Sequence, residues 1–298
     1  MTVLCVGYAN LDHIALTRAT AQRDHTRTII RPWPSPTPGG CACNIAVGLA
    51  RLGHHSAVQL SLGSDAASQQ FLEGLQREGV DITRVERQRG ARLPQIYFFV
   101  NDALSEAFFD PGGLTDRPHQ LSLDGVSHLV ITVGPPRATL DYFAQARQAG
   151  VRVIWQLKQD YTAIPNATLL SCLRQTDFLF CNEAEYANLR RLLGQEAVQA
   201  LLHSSLLAVV VTRGDAGSEV ITADEKTAVP IAPAQFLEGT GAGDAYTSGF
   251  LHGLLDGRSL PDCARLGAIT ASLVVGQWGC QAGLPTRREL ALIERSKL

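Results

Sequence analysis

Short apolar runs closed by glycine alternate along this chain with longer stretches whose apolar residues recur every three or four positions. The first run, residues 3–7, has the continuous hydrophobicity of a strand buried on both faces. Apolar residues at 45, 46, 49 and 52 then predict a helix that Gly53 stops. Residues 57–62 read as one strand, and residues 65–77 as an amphipathic helix capped by Asp65 and ended by Gly79. From about residue 126 the order is strand 128–133, helix 138–149, strand 151–157, a helix near 167–174 and strand 177–180. The strongest β run, 206–211, follows, with further strands near Glu219 and Ala228. A helix opening at Asp244, a second buried helix over 264–277 and a polar terminal helix complete the pattern. Repeated βα alternation predicts a three-layer α/β fold, a mainly parallel central sheet covered by helices.

Three stretches depart from this rhythm. Residues 15–30 are polar and end in the alternation Thr26-Arg27-Thr28-Ile29-Ile30, which suits a strand of a small subdomain. Proline at 32, 34, 36 and 38 predicts a stiff polyproline-like segment ending at Gly39-Gly40. Residues 95–100 and 107–109, rich in aromatic rings, read as a hairpin around Asn101-Asp102. Those rings either line an apolar pocket or pack as an ordinary half-buried strand.

Composition narrows the function classes. The chain has 298 residues, 45% of them hydrophobic, and a formal net charge of −2 with no long basic run, so nucleic acid and anionic membrane are poor partners. Residues 3–7 start directly, without a basic leader, and no apolar run reaches a membrane span; a soluble cytoplasmic protein is expected. Seven scattered cysteines do not form a disulfide framework. Cys41-x-Cys43 is the only close pair, no second Cys or His pair completes a zinc site, and His54 and His55 read as solvated turn residues.

The informative stretch is Gly239-Thr-Gly-Ala-Gly-Asp244. Its alternate glycines permit close approach and positive φ, and N–H groups from Gly241, Ala242, Gly243 and Asp244 would converge on an anion at the positive end of a helix. A carboxylate beside a bound phosphate is repelled unless it works as a base for an attacking hydroxyl; the alternative is that Asp244 caps the helix. A P-loop is excluded because the three lysines, Lys158, Lys226 and Lys297, do not follow glycine, and the spacing is not a dinucleotide fingerprint. Asn10 and Asp12 alternate beyond the first strand, where substrate hydroxyls could be gripped or an Asx turn could form. Gly39-Gly40 opens a helix mouth with Asn44 behind it. Asn182 and Glu185, spaced i, i+3 at a strand end, fit either hydrated Mg²⁺ or a cap. Thr212, Gly214 and Gly217 form a further glycine-rich turn suited to a nucleotide.

Taken together these stretches resemble the ribokinase-like (PfkB) family of sugar and nucleoside kinases. Its N-terminal signature is matched by Gly39-Gly40, Ala42, Asn44, Ala46, Leu49-Ala50 and Leu52-Gly53, and its C-terminal one by residues 240–245 with Gly249-Phe250. The likeness covers nearly the whole chain. It implies a single kinase domain over 1–298, with a small β lid near 12–35 and 92–110. It implies ATP-dependent γ-phosphoryl transfer to a primary alcohol, with Asp244 as base and the Gly241, Ala242 and Gly243 amides stabilising the transferring phosphate. Asn10, Asp12, Gly39, Gly40, Asn44 and Gln95 would then hold the acceptor. Asn182, Glu185, Thr212, Gly214, Gly217, Gly243 and Gln277 would serve ATP, with Glu185 reaching Mg²⁺ through water. Glu238-Gly239 replaces a common Asp-Thr pair and leaves a monovalent cation open, Cys41 replaces the lysine of ribokinases proper, and Gln156-Leu157-Lys158 replaces Asp-Pro-Gly. The tail around Gly279-Cys280-Gln281 looks most like prokaryotic adenosine and nucleoside kinases, so a ribonucleoside leads over a free sugar as acceptor. A homodimer through the lid stays open, as do Arg137 and Arg213 as phosphate ligands. A non-catalytic nucleotide or sugar sensor would show a lost base or a broken anion hole, and neither is seen.

Overall fold

The computed structural model describes residues 1–18, 28–32, 36–101, 104–117, 120–158 and 166–296. Its central sheet has eight strands. In spatial order they are β15 (Lys226–Val229), β14 (Ser218–Ile221), β13 (Ala208–Thr212), β12 (Phe178–Asn182), β11 (Arg152–Gln156), β10 (Val126–Ile131), β1 (Thr2–Val6) and β5 (Ser56–Gln59). Neighbours from β5 to β13 are parallel, and β14 and β15 continue the sheet antiparallel.

Side chains alternate across a strand, so each parallel strand feeds two cores at once. Val3, Cys5, Val130, Ile154, Phe178, Phe180 and Val210 enter one layer, which is covered by α1 (Cys41–Arg51), α2 (Ala66–Arg77), α7 (Ala242–Leu255) and α8 (Leu260–Val274). Leu4, Val6, Leu129, Ile131, Val153, Trp155, Leu179 and Val209 enter the other, under α3 (Pro136–Gln148), α4 (Asn166–Leu173), α5 (Glu183–Leu193) and α6 (Gln195–Leu202). The terminal α9 (Arg287–Ser296) seats Leu290 against Leu52, Leu266 and Ile269. Among the described residues no helix is long and apolar enough to cross a membrane.

A separate five-stranded sheet joins β2 (Asn10–Thr17), β3 (Ile29–Pro32), β4 (Thr37–Gly39), β8 (Gln95–Asn101) and β9 (Leu104–Asp110). The expected hairpin is present, with Asn101 paired to Leu104 and Asp102 outside the described residues. The polyproline expectation gives way here, because Pro32 lies in edge strand β3 and Pro38 in the three-residue β4, positions where a missing N–H is tolerated. Thr26, Arg27 and residues 33–35 lie outside the described residues. The run 57–62 is two strands. The chain leaves the large sheet after Gln59, and β6 (Ser61–Gly63) pairs instead with β7 (Glu86–Gln88). Likewise α8 ends at Val274, not at Gln277, which stands exposed in the bend that follows.

Candidate active site

The N-termini of α1 and α7 open toward one cleft. Gly241 is the N-cap of α7 in the left-handed region (φ 81°), and a Cβ there would come within 2.7 Å of the Cys280 Cβ. The N–H groups of Gly241, Gly243 and Asp244 find no acceptor among the described residues, whereas Ala242 N–H donates to the Gly239 carbonyl (3.2 Å). The anion hole therefore offers three amides at the positive helix end. Asp244 lies inside the first turn, is 4% exposed, and caps nothing, since the cap is Gly241 without a side-chain bond. Each carboxylate oxygen accepts one amide hydrogen: Asn44 Nδ2 donates to Oδ2 (2.8 Å) and Gln156 Nε2 to Oδ1 (2.5 Å). Two fixed donors orient a buried acid while leaving lone pairs for an incoming hydroxyl.

The acceptor side is built on β2. Asn10 and Asp12 share one face of this strand, paired to Gly39 and Thr37, so the pair forms part of the small sheet rather than an Asx turn. Asn10 Nδ2 and the Cys280 thiol donate to Asp12 at 2.6 and 3.0 Å. A Cβ on Gly39 would meet the Asp12 carboxylate at 2.3 Å, which explains the glycine at that position. Asp12 is 3% exposed, and burial first, then the fields of Asp244 and Glu238, push its pKa up to about 6 despite these two donors. Protonation is thus favoured in the fold: the Asp12 contribution to stability is full below about 3.8 and is lost as pH rises through about 6. Binding of substrate hydroxyls needs the opposite, ionised form. We expect kcat/KM to fall about tenfold per pH unit below that point, and Asp12→Asn to abolish this limb while lowering kcat/KM at pH 8. Gln95 is turned elsewhere, accepting from His13 Nε2 (2.5 Å) and donating to the Leu93 carbonyl (3.0 Å).

The nucleotide candidates line the carboxyl ends of β12 and β13. Asn182 and Glu185 form a capping box, each side chain accepting from the other's backbone N–H at 2.8 Å. Thr212 ends β13, and Gly214 (φ 56°) and Gly217 (φ 84°) shape the turn after it. Arg213 is engaged by Glu219 at 2.7 Å, and Arg137 donates its backbone N–H to Asp116 (3.0 Å).

A pfkB family carbohydrate kinase profile matches residues 2–287. The chain belongs to this family. The nucleoside kinase of Methanocaldococcus jannaschii is 29% identical over 287 residues, covering 95% of this chain and 93% of that protein. Its crystal structure superposes with a TM-score of 0.86, covering 99% and 98% of the two chains. The 5-dehydro-2-deoxygluconokinase of Clostridium perfringens is 24% identical over 275 residues, covering 83% and 81%. A Burkholderia thailandensis nucleoside kinase, solved in complex with inosine, shares the fold at a TM-score of 0.86 and 21% identity, covering 99% and 98%. As a pfkB kinase the protein is a phosphotransferase, and family membership implies use of ATP.

Within this kinase the structure adds residues that no local motif announces. Gln156, at the end of β11, reaches Asp244 from 88 positions away, and its own Oε1 is buried without a partner. Gln281 Nε2 donates to Asn44 Oδ1 (2.9 Å), and its carbonyl is held by Arg51 Nη1 (2.8 Å), so the tail braces the amide that braces the base. Glu238 gives one oxygen to Thr240 N–H (2.5 Å) and keeps the other buried and unpaired. Lys158, two residues beyond Gln156, is exposed at the strand's carboxyl end. Its ammonium is held above the ordinary range by neighbouring Cys41, against desolvation, and by the Asp244 and Glu185 carboxylates. The sequence signal for Gln156 and Lys158 is their place at a strand's carboxyl end.

Proposed function

We propose that the protein transfers the γ-phosphoryl group of ATP to a primary hydroxyl of a ribonucleoside of the adenosine type. The observation that carries this reading is an aromatic pair beside the acceptor site. Tyr8 and Phe109 pack with ring centroids 4.7 Å apart and planes tilted by 48°, and the Tyr8 carbonyl lies 2.4 Å from where a Gly40 Cβ would stand. Phe109 is still 39% exposed, which leaves a ring surface for a base. The pocket also suits a polyhydroxyl group. Thr37 Oγ1, Gln156 Oε1 and Glu238 Oε2 are buried without partners, at a cost of about 1–3 kcal/mol each that ligand hydroxyls would offset.

In this reading Asp12 and Asn10 grip ribose hydroxyls, Asp244 takes the proton of the attacking one, and the Gly241, Gly243 and Asp244 amides receive the charge on the phosphoryl oxygens. Lys158 adds a positive charge between base and phosphates. Mg²⁺ would be held through water by Glu185, whose Oε2 is committed to Asn182 N–H. Thr212, Gly214 and Gly217 flank the nucleotide. The small sheet acts as a lid that excludes water, and exposed Ile29, Ile30 and Phe108 suit pairing of two lids. A free sugar is the second reading, favoured by the 5-dehydro-2-deoxygluconokinase relatives.

An ADP-release panel of adenosine, inosine, cytidine, ribose, fructose and a ketodeoxy sugar separates the two. The expected result is a nucleoside kcat/KM at least tenfold above any sugar. Phe109→Ala should raise the nucleoside KM by about 5- to 100-fold, the worth of one lost stacking contact. Equal use of sugars by both forms supports the second reading instead.

A further inference from the structure

The helices that bring their N-termini to the cleft, α1 and α7, also end together on the far side of the molecule. They pack so closely that a Cβ on Gly48 would meet Ser248 Oγ at 2.5 Å. Here His54, just beyond α1, lies against His252 in the last turn of α7, with Asp256, the residue that ends that helix, beside them. The sequence placed His54 in a solvated turn. Instead its Nε2 is 2.7 Å from His252 Nδ1, the two ring centroids are 5.0 Å apart, and His252 is only 7% exposed. His252 Nε2 stands 3.9 Å from Asp256 Oδ2, and one ligand atom from each of the three residues falls within 4.8 Å of the others.

We propose that His54, His252 and Asp256 bind a divalent transition ion, zinc by preference, that clamps the C-terminal ends of α1 and α7. Two imidazole nitrogens and a carboxylate oxygen are the borderline donor set that zinc takes, with water as fourth ligand. Bonds of about 2.0–2.2 Å in a tetrahedral site separate ligand atoms by roughly 3.3 Å, and the three ligand atoms, one nitrogen from each ring and one carboxylate oxygen, already lie within 4.8 Å of one another. Small side-chain rotations therefore close the site, and the ion displaces the proton shared by the two rings. The position favours a cation as well, because both helices end here with their negative dipole ends. Arg287 now pairs with Asp256, but its side chain is 52% exposed and can turn outward to water. At about 1.5 Å per residue, α7 sets the cluster roughly 12–22 Å along its axis from the anion hole, so this ion takes no part in phosphoryl transfer.

The test uses tag-free full-length protein stripped with a chelator and titrated with Zn²⁺ against a chromophoric competitor, and separately with Co²⁺. One equivalent should bind at micromolar affinity or tighter. Cobalt should give d–d bands without a thiolate charge-transfer band, which rules out the seven cysteines as ligands. His252→Asn and His54→Asn should each weaken binding at least tenfold and remove the zinc-dependent rise in thermal midpoint, with kcat unchanged by zinc. Absence of saturable binding at one equivalent, a thiolate band, or unchanged affinity in His54→Asn overturns the proposal. Should His252→Asn fail to fold, His54→Asn at the half-buried rim decides alone. The binding, spectral and thermal readouts that decide the proposal do not depend on kinase activity, so failure here leaves the functional assignment untouched.

Discussion

Replacing Asp244 by asparagine is expected to lower kcat by about 10²- to 10⁴-fold, the usual worth of a positioned general base, while the Kd for ATP changes by less than about threefold. The substitution keeps the shape of the side chain and removes its ability to take a proton. It also turns one of the two amide contacts into a clash of donors, because Asn44 Nδ2 and Gln156 Nε2 each point at a carboxylate oxygen. Steady-state ADP release and calorimetric ATP binding on the same preparation separate the two effects. Activity within about threefold of the parent protein would remove Asp244 from the role of base.

Gly241→Ala is expected to cost nearly as much for a different reason. The residue sits at φ 81°, where a side chain is strained, and its new Cβ would press on backbone and side chain of Cys280 at 2.8 and 2.7 Å. Relief requires the mouth of α7 to move away from the 279–281 segment, which displaces the three free amides. Loss of such donors reduces kcat by about 10²- to 10³-fold, and the strain lowers stability by about 1–3 kcal/mol. Both are read on one sample, by turnover and by denaturant unfolding. A second substitution, Cys280→Gly, should restore part of the stability by removing the side-chain contact, but not the parts due to φ and to the backbone of residue 280. A Gly241→Ala enzyme with full turnover would show that the amides do not carry the phosphoryl charge.

Much of this site was readable from local sequence because its framework is made of helix mouths. A glycine at a positive-φ cap, followed by helical periodicity, is a local signal, and the α1 and α7 mouths appear where Gly40 and Gly241 stand. The mainly parallel sheet followed from the βα alternation, since strands such as β10, β11 and β13 are short, largely apolar runs; their spatial order did not. Local signals stop at the choice between a capping and a catalytic Asp244, because both uses place an acid at a helix start. Only position decides, and the fold seats Asp244 past the cap with two amides around it. The proline-rich stretch misled for a related reason: whether such a segment stands free or pairs depends on a partner strand, and β2 supplies it.

What the sequence determined by itself is the βα frame, the two glycine mouths, the acids at them and the family. Tertiary structure alone decided which distant groups meet: Gln156 and Asn44 at Asp244, Cys280 at Asp12, Gln281 at Asn44, and His54 at His252. Periodicity and turn chemistry act over a few residues and leave a trace in the sequence. A hydrogen bond between positions 88 or 200 apart leaves none, because it depends on how the sheet stacks the strand ends and not on any spacing along the chain.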